Sequence, residues 1–527
     1  MTQGSQNSVR ETTSNRALLR GSLAGVTAQG LYLATRFLLT PYVVAQAGYE
    51  AYGFWSILFV VLGVVGIHRM GLLSSSVTFV ARDRALGDIE HARATLRTTA
   101  SLALVLVLLV GLPMVALADP ITGWMGAEGA LRGDAALTLR IALIATCTAL
   151  VLGGYQSALE AYQRFVHVRS VDVACQGLEA LLIVVFLSAG MGLVGLALAY
   201  AVRILLPILF HAGALHRIEP RLSALPGRID RPCAREVLRL GGSIQLMGAL
   251  HMGIAMVPRV AMAHIVGLAA VGVFEVGRKL VEFAAALPTH ALAPLVPATA
   301  EDETGSGAPS ARVLRLTHVS TRLIAFAGAL PLSVLAVFAD EVVLAWLGEP
   351  RPEVALVLRI LAPAAWLHLV TGPATSVLRG LARPGAELRY SIAWFVALLL
   401  TCPAALAWGG LAGGVACVAI IQTLACMTLF AQVAKPLELG PHSLWSNAVL
   451  PLAVCVLPAL VIGSAIDVQA QGRAEALLAI ALGATAATAV AAPAFFFLAW
   501  TGKDRRALLG LLPSRLRPRS LASEANA

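Results

Sequence analysis

Apolar residues run along this chain in blocks of about 20, separated by short polar segments, the block length that crosses ~30 Å of hydrocarbon as a helix. Such a window finds fourteen candidate spans: 21–45, 53–80, 99–118, 136–158, 171–189, 192–212, 241–266, 271–297, 323–339, 354–377, 391–408, 413–433, 448–466 and 476–500. The second and eighth are long enough to tilt or to project beyond the bilayer. The pattern predicts an all-α polytopic membrane protein with about 14 transmembrane helices. Composition agrees: 58% of the 527 residues are hydrophobic and only 13% charged, too little charge for a soluble chain of this length. Glycine and proline recur inside the apolar runs, as bilayer helices allow. Ala45-Gln46-Ala47 has the small-residue form of a signal-peptidase site, but the run before it is too long and contains Arg36, so it reads as a retained first helix.

Charge sets orientation. Most of the 39 Lys and Arg residues fall in alternate connections, which the positive-inside rule places in the cytoplasm with both termini. The net charge of +10 needs no nucleic-acid partner, and no DNA-binding motif is present. The connection with Arg217, Arg221, Arg228, Arg231, Arg235 and Arg239 is the most basic and reads as a topology signal in contact with anionic membrane lipid. Glu301 to Ala311 reads as a flexible acidic linker. The tail around Arg505, Arg506, Arg515 and Arg517, with its leucines, reads as a short basic helix lying on the membrane.

Comparing the chain with itself at an offset of 219 residues matches Gly53 with Gly272, Arg140 with Arg359, Gly153 with Gly372, Ser157 with Ser376, Leu159 with Leu378 and Arg164 with Arg383. With a small shift, Ala118-Asp119 ahead of Trp124-Met-Gly126 matches Ala339-Asp340 ahead of Trp346-Leu-Gly348. Each copy holds six spans, so both enter the membrane in the same direction: two parallel six-helix repeats forming two bundles, related by an axis along the membrane normal. The expected segments are a cytoplasmic N-terminal stretch (1–20), a first bundle (21–213), a basic linker (214–240), a second bundle (241–433), two extra C-terminal helices (434–500) and a basic cytoplasmic tail (501–527). Two bundles with a cleft between them suit a transporter working by alternating access.

An ionisable side chain at mid-bilayer costs about 2.5–3.5 kcal/mol by insertion scales, so each needs a cavity, a partner or a route to the interface. In the first span Gln29, Tyr32, Arg36 and Thr40 form one polar stripe at helical spacing. Arg203 sits in the sixth span; Gln245, His251 and Arg259 share a face of the seventh; Glu275, Arg278, Lys279 and Glu282 lie in the eighth. Glu275 with Lys279 and Arg278 with Glu282 are i,i+4 pairs by which that helix can neutralise itself. His251 and His264 read as packed or interfacial, and Arg140 and Arg359 lie near enough to span ends to snorkel. Arg36, Arg203 and Arg259 have no acid nearby in sequence and read as cavity-lining. With Gln29, Arg278 and Lys279 they make the candidate substrate-binding set, and Glu275 and Glu282 the candidate ion-coupling pair. A basic lining suits an anionic, phosphate-bearing substrate. The seven cysteines form no CxxC pair, so neither a disulfide framework nor a metal site is expected. With no Walker A, HExxH or GxSxG motif and no supported Rossmann glycine pattern, no cofactor and no enzymatic activity are expected.

Several stretches resemble the polysaccharide flippases of the multidrug/oligosaccharidyl-lipid/polysaccharide exporter superfamily. They are Leu39-Thr-Pro41 through Gly48, Tyr52-Gly-Phe-Trp55, Met70-Gly-Leu72 with Ser74 to Ser76 and Arg82, then Val271-Gly-Val-Phe274 with Lys279-Leu280, Pro294 and Pro297. The resemblance covers the first twelve spans and is clearest over residues 21–97. It implies a MATE-like fold and passage of a polyprenyl-diphosphate-linked sugar or oligosaccharide to the outer leaflet of a bacterial inner membrane, for cell-surface polysaccharide synthesis. It also implies other polysaccharide-assembly proteins as partners, and a role for the extra helix pair beside the lipid tail.

Three alternatives remain. A cation-coupled multidrug exporter of the same superfamily is expected to rely on buried acids, whereas bases dominate here. A membrane glycan ligase or polymerase needs a larger external segment than the loop at about 119–135. A non-transporting scaffold has no use for the repeat.

Overall fold

A computed structural model describes residues 3–129, 131–292, 295–300, 309–381, 385–466, 470 and 472–500, with the side chains of 3–29, 67–70, 240–247, 297, 298 and 300 left aside. The acidic linker at 301–308 and the basic tail lie outside the described residues, as do the side chains of Gln29 and Gln245. The described chain is helical and contains no strand among these residues.

In order the helices are α1 (Gln3–Leu86), α2 (Ile89–Leu106), α3 (Leu112–Ala116), α4 (Ala118–Trp124), α5 (Leu131–Leu152), α6 (Gly154–Ala161), α7 (Phe165–Ser188), α8 (Gly192–Ile218) and α9 (Arg231–Ile265). There follow α10 (Leu268–His290), α11 (Leu295–Ala300), α12 (Ala311–Val337), α13 (Ala339–Leu347), α14 (Pro352–Gly380), α15 (Gly385–Val433), α16 (Pro441–Leu444), α17 (Leu450–Ala465) and α18 (Arg473–Leu498). Ten helical segments among the described residues are long and apolar enough to cross a membrane. The chain is thus a multi-pass membrane protein. The long α1 is broken at Gly48 (φ 82°) and α15 at Gly410 (φ 55°), left-handed positions that glycine takes without steric cost. The expected seventh and eighth spans coincide with α9 and α10, which are not among the ten.

By internal contacts the chain forms two units: Met1–Glu275 with Cys402–Leu411, and Val276–Thr401 with Ala412–Ala527. Positions matched at the repeat offset have like local structure. Gly48 has its counterpart in Gly267 (φ 113°), and Gly126 (φ 87°) in Gly348 (φ 86°), each pair at or near the repeat offset. In the first unit Gly153 is pressed against the Leu73 side chain; in the second, Gly372 is pressed in the same way against Leu292, the residue equivalent to Leu73. Arg140 pairs with Asp119, and Arg359 with Asp340. Each of these two arginines, near enough to a span end to snorkel, has a carboxylate on the short helix before its own, supplied by the Ala-Asp motif of its own repeat.

One end of the first unit is closed by an apolar cluster of Val80, Leu96, Leu159, Val168, Leu215 and Leu222. The basic linker is fastened beside it. Ser101 Oγ donates to Gly227 O and accepts from Gly227 N, both at 2.8 Å, and Thr98 Oγ1 accepts from Asp230 N at 3.0 Å. Asp230 caps α9 by accepting from Cys233 N at 3.0 Å, and that hydrogen bond holds its carboxyl below the ordinary carboxylate range. Burial pushes the Cys233 thiol up to about 11. In the second unit α17 and α18 pack on α12 and α13, where the Val337 side chain fills the space left by Gly463 and the Phe338 ring that left by Gly483. Phe326 stacks on Phe495 with centroids 4.0 Å apart.

Candidate functional site

The first half of α1 presents Arg36 one turn from Tyr32, on the stripe predicted from spacing. Its guanidinium meets Glu179 of α7. Arg36 Nη2 donates to both carboxylate oxygens, at 2.7 and 2.8 Å. Arg203 of α8 approaches the same carboxylate, with Nε 3.1 Å from Oε2. Two cations therefore share one acid. Aromatic faces complete their surroundings. The Tyr32 ring lies 5.3 Å from the Arg36 guanidinium and 6.0 Å from that of Arg203, and Tyr200 lies 5.5 Å from Arg203. Tyr200 is held by its hydroxyl contact with Thr146 (3.0 Å) and by edge contacts with Trp55 and Phe59. The Glu179 side chain is 4% exposed and the arginines 18% and 21%, so the acid is the more sequestered member.

Arg203 also lines a cavity of about 250 Å³ with Gln156, Arg169, Asp172, Gln176 and His211. Arg169 bridges Asp172 (3.2 Å) and Glu160 (3.5 Å). The cavity lining mixes these polar groups with Leu152, Ile204 and Ile208, and the Arg36–Arg203 pair carries one unit of positive charge in excess of Glu179.

A second buried pair joins α9 to the start of α10. Arg259 Nε and Nη2 donate to Glu275 at 2.8 and 3.3 Å, a bidentate fork, and Nη1 donates to Ala255 O at 2.8 Å. Arg278 pairs with Glu282 within α10, as its spacing predicted. His264 is exposed, 2.8 Å from Val260 O through Nδ1 and 5.2 Å from the Trp124 ring.

Arg36, Arg203 and Arg259, which have no acid nearby in sequence, each meet one supplied by another helix. Glu179 serves the first two and Glu275 the third, so Glu275 is engaged with the neighbouring helix as well as lying four residues from Lys279. Arg36 and Arg203 are brought together, and Arg259 belongs to a separate pair within the first unit. Arg278, Lys279 and Glu282 fall in the second unit. Glu179 is the residue that sequence reasoning missed. Its signal was available: an isolated carboxylate between Leu178 and Ala180 in an apolar span, which needs a partner as much as a buried arginine does. Among the described residues no cluster of acids, histidines and cysteines suits a metal ion.

Solved structures carry the comparison further. The lipid II flippase MurJ, in an inward closed conformation, matches over 90% of this chain and 98% of its own, with a TM-score of 0.71 and 10% identity. The chain has the fold of the MOP-superfamily transporters. An inward-facing multidrug resistance MATE transporter of that superfamily matches over 78% of this chain and 95% of its own, with a TM-score of 0.66 and 18% identity. An outward-facing one matches over 80% and 96%, at 0.56 and 17%. At these identities the likeness is one of fold. These neighbours are transporters and flippases, not enzymes. No protein-family profile and no curated protein matches the sequence.

Proposed function

We propose that this protein is a flippase. It carries a polyprenyl-diphosphate-linked sugar or oligosaccharide from the cytoplasmic to the outer leaflet of a bacterial inner membrane by alternating access, with both termini in the cytoplasm. The observation behind this reading is the Arg36–Glu179–Arg203 cluster, two guanidiniums on one buried carboxylate inside the membrane-spanning part of the first unit. Its residual positive charge and planar donors suit a diphosphate. Support also comes from the extent of the likeness to a lipid flippase, which reaches 90% of the chain. In this reading α16 to α18 accompany the lipid tail, and membrane lipid and other polysaccharide-assembly proteins are the partners.

The buried carboxylate Glu179 favours one competing reading, a cation-coupled multidrug exporter, because an acid with two cationic neighbours is a place where a proton or drug cation competes. Proteoliposomes separate the two. Reconstituted protein should expose a diphosphate-linked oligosaccharide on a short polyprenol to an external glycosidase, and Arg36→Ala or Arg203→Ala should abolish this while the protein stays inserted and folded. Efflux of cationic dyes without any movement of the lipid-linked glycan would establish the exporter instead.

A further inference from the structure

Gly53 and Gly272 occupy equivalent positions in the two repeats, and they touch each other. A Cβ on Gly53 would collide with the Leu268 carbonyl oxygen and lie 2.9 Å from the Gly272 backbone nitrogen. A Cβ on Gly272 would collide with the Tyr49 carbonyl oxygen and lie 2.9 Å from the carbonyl carbon of that residue. The obstruction is backbone on both sides, so no change of rotamer relieves it. The contact is also reciprocal. Where a rotation relates two repeats, equivalent residues touch only at the rotation axis, so this glycine pair marks the axis expected along the membrane normal.

The surroundings make a dry layer. Phe54 and Val271 are fully buried, and Ala51 and Phe274 nearly so. Gly126, in its left-handed turn after α4, sits 3.5 Å from the Ala263 carbonyl oxygen and 3.6 Å from Leu268 Cγ, measured from the position of a Cβ. Trp124 and His264, both exposed, form the rim of this layer. The layer lies just beyond the two helix breaks, Gly48 and Gly267, and so at one end of the spans rather than midway.

We propose that this glycine seam seals one side of the transport route and that it parts and re-forms in each cycle. Gly53 and Gly272 are then positioning residues that never touch the substrate. The proposal rests on the transporter reading but not on the identity of the cargo. Alternating access requires a contact on the axis that excludes water when closed and yet opens without unthreading interlocked side chains. Backbone against backbone at small residues meets both needs, because the helices come close with few side-chain knobs to withdraw. The weak Cα–H···O contacts made at such distances are individually easy to break.

A cysteine placed at Val271 reports on the seam, since that position is fully buried when the seam is closed and the seven native cysteines are themselves buried. Labelling with a membrane-impermeant maleimide is compared in right-side-out and inverted vesicles. Gly53→Val should raise the labelling rate of Val271→Cys by about tenfold or more from one side of the membrane only. Gly66→Val, with nothing within 4 Å of its Cβ on the same helix, should leave the rate unchanged. Gly272→Ala adds only the methyl that meets the Tyr49 carbonyl and guards against the larger disruption by valine; its folded fraction should label faster in the same direction. If Gly272→Ala lowers the midpoint while the folded fraction labels no faster, the seam is fixed packing and the proposal fails. Faster labelling from both sides equally would also overturn it, since that reports unfolding rather than a gate. Labelling follows conformation and not cargo, so failure to flip a glycan leaves this result standing on its own.

Discussion

Replacing Glu179 by glutamine tests the charge logic of the candidate site. The substitution keeps the size of the side chain and one carbonyl acceptor but removes the charge and points amide hydrogens at two guanidiniums. Arg36 loses an interaction made through both carboxylate oxygens, at 2.7 and 2.8 Å, and Arg203 loses its partner at 3.1 Å. Each opposite-charge contact at ~4 Å is worth about 4 kcal/mol at an effective dielectric of 20. The net figure is smaller, because both arginines are partly exposed and are freed to take up water. Removing one partner of a buried pair costs about 3–5 kcal/mol, and partial exposure places Glu179→Gln at the lower end, ~3 kcal/mol.

The sign of a second effect is more telling. With the acid gone, an added anion finds two unpaired arginines. Inorganic pyrophosphate should therefore raise the thermal midpoint of Glu179→Gln more than that of the natural chain, where the ligand must first displace Glu179. The assay is thermal unfolding in detergent over a pyrophosphate titration, with Arg36→Gln and the double variant closing a thermodynamic cycle. An unchanged midpoint in Glu179→Gln would refute the claim that this carboxylate holds the cluster. Equal stabilisation of both proteins by pyrophosphate would refute the competition between carboxylate and phosphate.

Three further outcomes follow from the same geometry. Glu275→Gln leaves Arg259 buried with half of its fork unmet and should cost about 3–5 kcal/mol in chemical denaturation, whereas Arg259→Lys should lose only part, because charge survives without the bidentate geometry. Arg140→Ala and Arg359→Ala break exposed ion pairs and should each shift stability by less than about 1 kcal/mol; a larger loss at either would show that the repeat motif does more than pair surface charges. Asp230→Ala should loosen the start of α9 and the linker docked on α2, read as faster proteolysis within 219–231. Because the folded Asp230 carboxyl sits below its ordinary value, its contribution is complete above the unfolded pKa and is lost as pH falls through the lowered one, so the variant and the natural chain should converge only in acid.

The all-helical, multi-pass architecture was legible because it is written in periodicity. Blocks of about 20 apolar residues locate helices whatever their neighbours, and an offset of 219 aligned Gly153 with Gly372 before any contact was known. What packs those glycines, Leu73 and Leu292, was not legible, because one leucine in a leucine-rich span looks like any other. The same limit applies to charge. Spacing within one helix exposes Arg278 with Glu282, four residues apart, but Arg36 and Glu179 are 143 residues apart and sit on different helices. Nothing local links them. The rule that every buried charge needs a partner would have set Glu179 beside the unpaired arginines, but not said which of them it meets. Gly53 and Gly272 were found as a repeat match, yet that they face each other depends on where the axis runs, which a one-dimensional comparison does not contain.

The pairing changes what the site must do to release a substrate. Read from sequence, Arg36, Arg203 and Arg259 have no acid nearby and leave a strongly basic lining, which would bind a diphosphate tightly and hold it. In the first unit the structure opposes Arg36 and Arg203 with Glu179, and Arg259 with Glu275, so one positive charge is left over. A diphosphate entering such a site gains guanidinium contacts only as the carboxylate gives them up. Its binding is then the difference between two large terms rather than the sum of several favourable ones. An exchange of this kind is reversible by construction: when the surroundings of the two arginines shift, Glu179 reclaims them and the phosphate leaves. The nearby cavity, with Arg169 balanced by Asp172 and Glu160, adds little further attraction for an anion. A carrier needs intermediate affinity on both sides of the membrane, and under the flippase proposal a buried acid shared by two bases would supply it without any additional moving part.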